Sequence, residues 1–277
     1  MTRSLYFMMT LAVAMVARAS DWELVWSDEF DRPGAPDPAK WGHEVGFIRN
    51  EELQYYTRGR AENARVEGGS LVIEARREAF PNPAFDASAG GKDWKRARRE
   101  ATHTSASLTT KGKASWRYGR IEVRAQLPEG RGMWPAIWML GDVGPGGAGW
   151  PACGEIDIME YVGHEPGIVH GTVHTAKYNH TKKTQRGARL EVGPVGKKFR
   201  VYAIEWDQQK IDFFVDKKRY FTFANEGAGE EAWPFDKAFY LILNVAVGGA
   251  WGGAKGVDDA AFPAKMLVDY VRVYERR

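Results

Sequence analysis

The chain has 277 residues, 44% of them hydrophobic and 13% aromatic, with 39 Lys and Arg against 36 Asp and Glu. That is enough apolar material for one large domain, and a formal charge of +3 speaks against a surface built for nucleic acid or an anionic membrane. A single cysteine, Cys153, excludes an internal disulfide framework.

The chain opens on Met1-Thr2-Arg3, continues in an apolar run from Leu5 to Val16, and reaches Ala17-Arg18-Ala19. A charged start, an apolar stretch too short to span a bilayer and an Ala-x-Ala site read as a secretory signal cut after Ala19. The expected mature domain is residues 20–277, a soluble monomer, secreted or periplasmic, in which 37 basic residues face 36 acidic ones once Arg3 and Arg18 are removed.

From Asp21 onward the chain alternates short segments rich in β-branched and aromatic residues with Gly, Pro, Asn and Asp, and no long stretch has an apolar period of 3.6. Strands are predicted at 70–75, 119–126, 134–139, 155–161, 169–175, 200–206, 210–215, 219–223, 240–247 and 266–274. Val215-Asp216-Lys217-Lys218-Arg219 reads as a tight hairpin. Residues 80–99, with Pro, Gly and a basic cluster over 92–99, read as a long irregular surface loop. So many short strands predict an all-β fold of two stacked antiparallel sheets, a sandwich or jelly roll.

Gly154-Glu155-Ile156-Asp157-Ile158-Met159-Glu160-Tyr161 is the chemical centre. Strand alternation puts Glu155 and Asp157 on one face and Ile156 and Ile158 in the core, which leaves Glu160 on the wrong side. One extra residue, a β-bulge near Met159, would turn Glu160 back beside the other two. Three carboxyls in a row repel, so the fold gains nothing from them unless they bind a cation, share a proton or do chemistry. Retaining glycoside hydrolysis needs two carboxyls about 5–5.5 Å apart, one ionised and one protonated, and a middle Asp can orient the first while its charge keeps the other protonated. The alternatives are a solvated acidic edge strand or a metal site.

These residues resemble the laminarinase-like branch of glycoside hydrolase family 16, with its bulged Glu-x-Asp-x-x-Glu motif. The resemblance runs through Trp26-Ser27-Asp28-Glu29-Phe30, Glu52-Leu53-Gln54-Tyr55-Tyr56, Tyr118-Gly119-Arg120-Ile121-Glu122 and Trp134-Pro135-Ala136-Ile137-Trp138-Met139. It continues in His170-Gly171-Thr172-Val173-His174-Thr175, Tyr202-Ala203-Ile204-Glu205-Trp206 and Val268-Asp269-Tyr270-Val271-Arg272-Val273. It implies a β-jelly roll with a concave cleft and retaining, endo-acting hydrolysis of β-1,3 or mixed β-1,3/1,4 glucans without a catalytic cofactor. Glu155 is then the nucleophile, Asp157 its helper and Glu160 the general acid and base. Two departures stand out: Asn50-Glu51 stands where relatives often carry an Asn-Asn pair, which keeps Asn50 but not Glu51 as a sugar ligand, and the basic cluster over 92–99 is not a signature of the family.

Eleven Trp and eleven Tyr supply flat rings on which sugar faces stack, or rings that fill the core. Trp134 and Trp138 share a strand face, and the resemblance places them in the cleft; core packing is the alternative. His170 and His174 share another face, and the resemblance favours His174 beside the acid and base; a zinc pair lacks a third ligand. Trp150 and Trp251 read as rim aromatics on loops. The glycines around Trp251 lack the Lys-Ser/Thr ending and following helix of a phosphate loop. The resemblance also implies a structural calcium between the terminal segments, held by Glu29, a backbone carbonyl near Gly69 and Asp269, against the alternative of a plain surface carboxylate pair. The expected function is therefore an endo-β-1,3-glucanase acting on a β-glucan polysaccharide. A mixed-linkage glucanase, a galactan hydrolase (agar or carrageenan) and a non-catalytic β-glucan-binding module are the rivals; near-neutral charge weighs against sulfated galactans.

Overall fold

The computed structural model describes residues 21–91 and 93–277; the signal read over 1–19 and Lys92 of the basic cluster lie outside the described residues. Strand alternation explains most of what forms. In Gly119–Gln126, Ile121, Val123 and Ala125 are fully buried, and the half-buried Arg120, Glu122 and Arg124 alternate with them. The outward charges pair: Arg120 donates to Glu205 across the strand boundary at 2.7 Å.

Two sheets stack. The larger has ten strands, in order Lys218–Ala224, Lys210–Val215, Arg200–Trp206, Gly119–Gln126, Ala264–Arg276, Ser70–Pro81, Glu100–Ser105 and Gln54–Tyr56, with Trp22–Asp28 added to Ala264–Arg276 and Ala64–Glu67 added to Ser70–Pro81. The smaller has seven, in order Arg186–Glu191, Ile168–His174, Glu155–Tyr161, Met133–Gly141, Phe239–Val247, Ser107–Thr109 and Gly42–Glu44. Among the described strands the ladders are antiparallel except for Gln54–Tyr56 with Glu100–Ser105. The jelly-roll expectation therefore holds. The main core lies between the sheets, around Trp206, Phe213, Phe235 and Phe239. A second apolar group, Ala136, Trp138, Tyr240 and Ile242 with Leu140, covers the other face of the seven-stranded sheet. Phe239–Val247 is consequently buried along its whole length.

The predicted strands at 119–126, 155–161, 200–206 and 210–215 match the observed bounds. The hairpin forms with Val215 opposite Lys218 and Asp216 at φ 56°, a left-handed conformation that Asp tolerates. The long loop is shorter than expected. Strand Ser70–Pro81 continues past residue 75 by pairing with Glu100–Ser105, and the remaining segment contains a helical turn, Trp94–Ala97, capped by Asp93. Short strands such as Gln54–Tyr56, buried at every residue, carry no alternation for sequence reading to detect.

The acidic strand ends against a close backbone crossing. A Cβ on Gly163 would sit 1.6 Å from the Gly130 carbonyl oxygen, and the Gly163 amide donates to the Met133 carbonyl at 2.9 Å. Gly163→Ala should therefore cost about 1–3 kcal/mol through forced backbone displacement, read as a melting temperature lowered by several degrees in a calorimetric scan.

Candidate active site

The outer face of the seven-stranded sheet is built by alternation and register. Trp134, Ala136, Trp138 and Leu140 point outward from one strand, His170, Thr172 and His174 from another, and the acidic strand lies between them. On it the register slips. Asp157 faces Trp138 and Met159 faces Ile137, so Ile158 is the extra residue, and Ile158 and Met159 both point into the core at 1% and 0% exposure. The slip turns Glu160 outward to face Ala136 and His170. The bulge expected from the carboxylate spacing is present, and all three carboxyls line one cleft of about 690 Å³.

Each acid has its own surroundings. Trp150 Nε1 donates to Glu155 Oε2 at 2.8 Å, and Trp134 Nε1 donates to Glu160 Oε1 at 3.0 Å. Asp157 is 3% exposed; His174 Nε2 lies 3.3 Å from its Oδ2 and 3.7 Å from Glu155 Oε1. Burial is the largest influence on all three acids and raises each. Glu160 is pushed up to about 7, with the Glu155 charge adding and the Trp134 hydrogen bond opposing. Glu155 is pushed up to about 8, with the Asp157 charge adding and His174 and Trp150 opposing. Asp157 is raised well above the carboxylate range by burial and the Glu160 charge. Three neighbouring carboxyls, one buried and two half-buried, cannot all ionise freely, so the group holds protons at neutral pH. Asp157, the deepest, is where a proton is best kept.

The aromatic residues divide. Trp150 is 39% exposed and tilts over His180 at 4.9 Å between ring centres. Trp134 and Trp251 meet edge to face at 5.5 Å, and His170 meets Trp251 at 4.9 Å while accepting or donating at Glu165 over 2.9 Å. Trp138 is 6% exposed, part of the cleft floor, and donates to Asn244 Oδ1 at 2.7 Å. Trp134, Trp138, Trp150, Trp251, His174 and Asn50 thus all line the cleft, whereas Trp41, Trp116, Trp206 and Trp233 fill the core. Sequence reading missed Arg49, Glu52, His180, Gln185 and Asn244. Asn244 had a signal, as the one polar residue in Phe239–Val247.

Glu29, Gly69 and Asp269 lie outside this cleft. Trp22–Asp28 and Ser70–Pro81 pair with neighbouring stretches of the last strand, Asp28 facing Val271 and Leu71 facing Val268, and Asp269 stands at the gap between them. Glu29 accepts two bonds from Arg272, at 3.0 and 2.8 Å, and Asp269 one from Arg124 at 2.6 Å.

Residues 53–272 match the family described as glycosyl hydrolases family 16. The chain belongs to that family. It is 55% identical to a "Beta-glucanase" of Rhodothermus marinus over 93% of this chain and 86% of the relative. It superposes on the solved laminarinase of Rhodothermus marinus with a TM-score of 0.83 at 55% identity, covering 92% of this chain and 98% of that one. A non-specific endo-β-1,3(4)-glucanase of the same family superposes with a TM-score of 0.82 at 48% identity, covering 95% of this chain and 94% of the other.

The raised acids make stability fall with pH. Glu160 is held near 7 in the folded chain against 4.5 for an ordinary Glu, so its share of stability is full below about 4.5 and is lost as pH rises through about 7. Glu160→Gln removes that loss. Its melting temperature should decline less between pH 5 and 8 than that of the parent protein, by a few degrees, in parallel scans.

Proposed function

We propose that this family 16 chain is a retaining, endo-acting β-1,3-glucan hydrolase with Glu155 as nucleophile, Glu160 as general acid and base, and Asp157 as the proton holder that orients Glu155. The observation that carries this reading is the bulge, which sets Glu155 and Glu160 on one face of one strand within a single cleft. Glu155, with the Trp150 indole as donor, attacks the anomeric carbon as the bond to the leaving oxygen breaks and Glu160 delivers its proton to that oxygen. Glu160, now ionised, takes a proton from water, whose oxygen displaces Glu155 from the same carbon. Two inversions leave the β configuration. A purely glucan-binding role would have no use for two half-buried glutamates both held toward the protonated form. Mixed-linkage β-1,3/1,4-glucan is the second reading, supported by the likeness to the non-specific endo-β-1,3(4)-glucanase.

Export is part of the same proposal and rests on the charged, apolar and Ala-x-Ala order of residues at the start of the chain. No helix among the described residues is long and apolar enough to cross a membrane.

Reducing ends released from laminarin, barley β-glucan, lichenan and agarose rank the substrates; laminarin should lead, and an inert laminarin digest would defeat the β-1,3 assignment. Fresh product should carry the β-anomer by proton NMR, since an initial α-anomer would mean inversion. Glu155→Gln should lower the rate on laminarin by on the order of 10³-fold or more. Glu160→Gln should lower it by on the order of 10²–10⁴-fold, while an aryl glycoside with a good leaving group still forms the intermediate and azide releases it as a β-glycosyl azide. Asp157→Asn should cost less than either.

A structural calcium at Glu29, the Gly69 carbonyl and Asp269 completes the proposal. The donors are all oxygen, as calcium prefers, and the ion must draw the two carboxylates away from Arg272 and Arg124. A chelator should then lower the melting temperature; identical melting with and without it would remove the site.

A further inference from the structure

The basic residues over 95–99, unused by the catalytic chemistry, touch the segment that forms the cleft wall through Arg98. Arg98 Nη1 donates to the Glu52 carbonyl at 2.5 Å and Nη2 to the Glu51 carbonyl at 3.1 Å. Its guanidinium lies 5.1 Å from the Phe47 ring centre and 4.7 Å from that of Trp94, and the two rings meet edge to face at 5.9 Å. The planar fork is held by aromatic rings while it caps two consecutive carbonyls, a task a lysine's point charge cannot reproduce.

The capped segment needs holding. Asn50 and Glu51 adopt φ of 56° and 53°, a left-handed conformation that side-chain-bearing residues keep only where their surroundings over-determine it. Besides Arg98, the turn is tied at its ends by Ala250 N–H to the Asn50 carbonyl at 3.1 Å and Leu53 N–H to the Val247 carbonyl at 2.8 Å. Arg49, Asn50 and Glu52 all line the cleft from this turn. Arg49 lies 4.8 Å from the Trp138 ring centre and is bound to both oxygens of Glu44 at 2.5 Å; Trp138 in turn faces Asp157 across the strand pair. The outer side of the clamp is equally fixed. Asn82 Nδ2 donates to the carbonyls of Lys95 and Arg98 at 2.8 and 2.7 Å. Arg96, in the same helical turn, instead pairs with Asp86 at 2.5 Å and does not take part.

We propose that Arg98 is a positioning residue that shapes the cleft wall at 49–52, and through it the grip on glucan units beyond the scissile bond, without touching the reacting atoms. The substrate half of this inference rests on the glucan reading above. A loosened wall weakens ground state and transition state alike, so the loss falls on KM and spares kcat.

The test compares Arg98→Ala with Arg96→Ala as the control for the loop itself, and Arg98→Lys stands in if the alanine variant does not fold. Hydrogen exchange at the amides of 51–53 should quicken in the Arg98 variants and stay at the parent rate in Arg96→Ala. KM for laminarin should rise by on the order of 10-fold in Arg98→Ala with kcat within about twofold, and the penalty should grow with the length of laminari-oligosaccharide used. Unchanged exchange, or quickened exchange with unchanged KM, overturns the proposal, as does an equal effect from Arg96→Ala. If the parent protein cleaves no glucan, the glucan reading fails by itself, while quickened exchange would still establish the clamp.

Discussion

One unpaired residue governs the site. Ile158, inserted where Asp157 and Met159 face successive residues of the neighbouring strand, puts two consecutive apolar side chains into the core. The burial of Ile158 and Met159, at 1% and 0% exposure, holds the slip in place, since a regular strand would drive Glu160 into the interior and one of these apolar chains into the cleft. The same hydrophobic burial that stabilises the sandwich therefore delivers the third carboxyl to its working face. Chemistry and packing are coupled through a single register shift.

What the shift brings together would ionise readily in open water and is hard to keep fully charged once it is packed into the cleft. The close partners of the three acids are His174, whose Nε2 lies 3.3 and 3.7 Å from Asp157 and Glu155, and the neutral indole N–H groups of Trp134 and Trp150. Neutral donors bind a carboxylate without abolishing the upward push of burial, so the acids share protons instead of being locked ionised. An arginine at the Trp134 position would stabilise ionised Glu160 and take away the proton that the proposed general acid must give. Indole serves both purposes, with an N–H for the carboxyl and an apolar face for a sugar ring.

The cleft floor and wall show how a surface feature becomes part of a site. Trp138, 6% exposed, is held by Asn244 from below and covered in part by Arg49 from the side. Arg49 is positioned by Glu44 on the outermost strand and by the turn that Arg98 caps from outside. Rigidity in this wall comes from charge-assisted bonds to backbone carbonyls and carboxylates, set on a small apolar cluster of Phe47, Tyr55 and Ala101 with Phe80 and Trp94.

The amino-acid sequence alone carried the strand character of 119–126, 155–161, 200–206 and 210–215, because alternation is a local pattern that does not depend on the partner strand. It also carried the identity of Glu155, Asp157 and Glu160, and even the bulge, because two-residue periodicity makes an odd spacing between carboxyls conspicuous. Tertiary structure decided the rest. Strands of three residues such as Gln54–Tyr56 exist only through their ladders, and the extension of Ser70–Pro81 to residue 81 follows from its pairing with Glu100–Ser105. Arg49, Glu52 and Asn244 became site residues only when distant segments met, Asn244 lying 106 residues from the Trp138 it binds. The cause is physical: a side chain's face is set by its own backbone, whereas its partner is set by how the whole chain closes, and no local pattern encodes that closure.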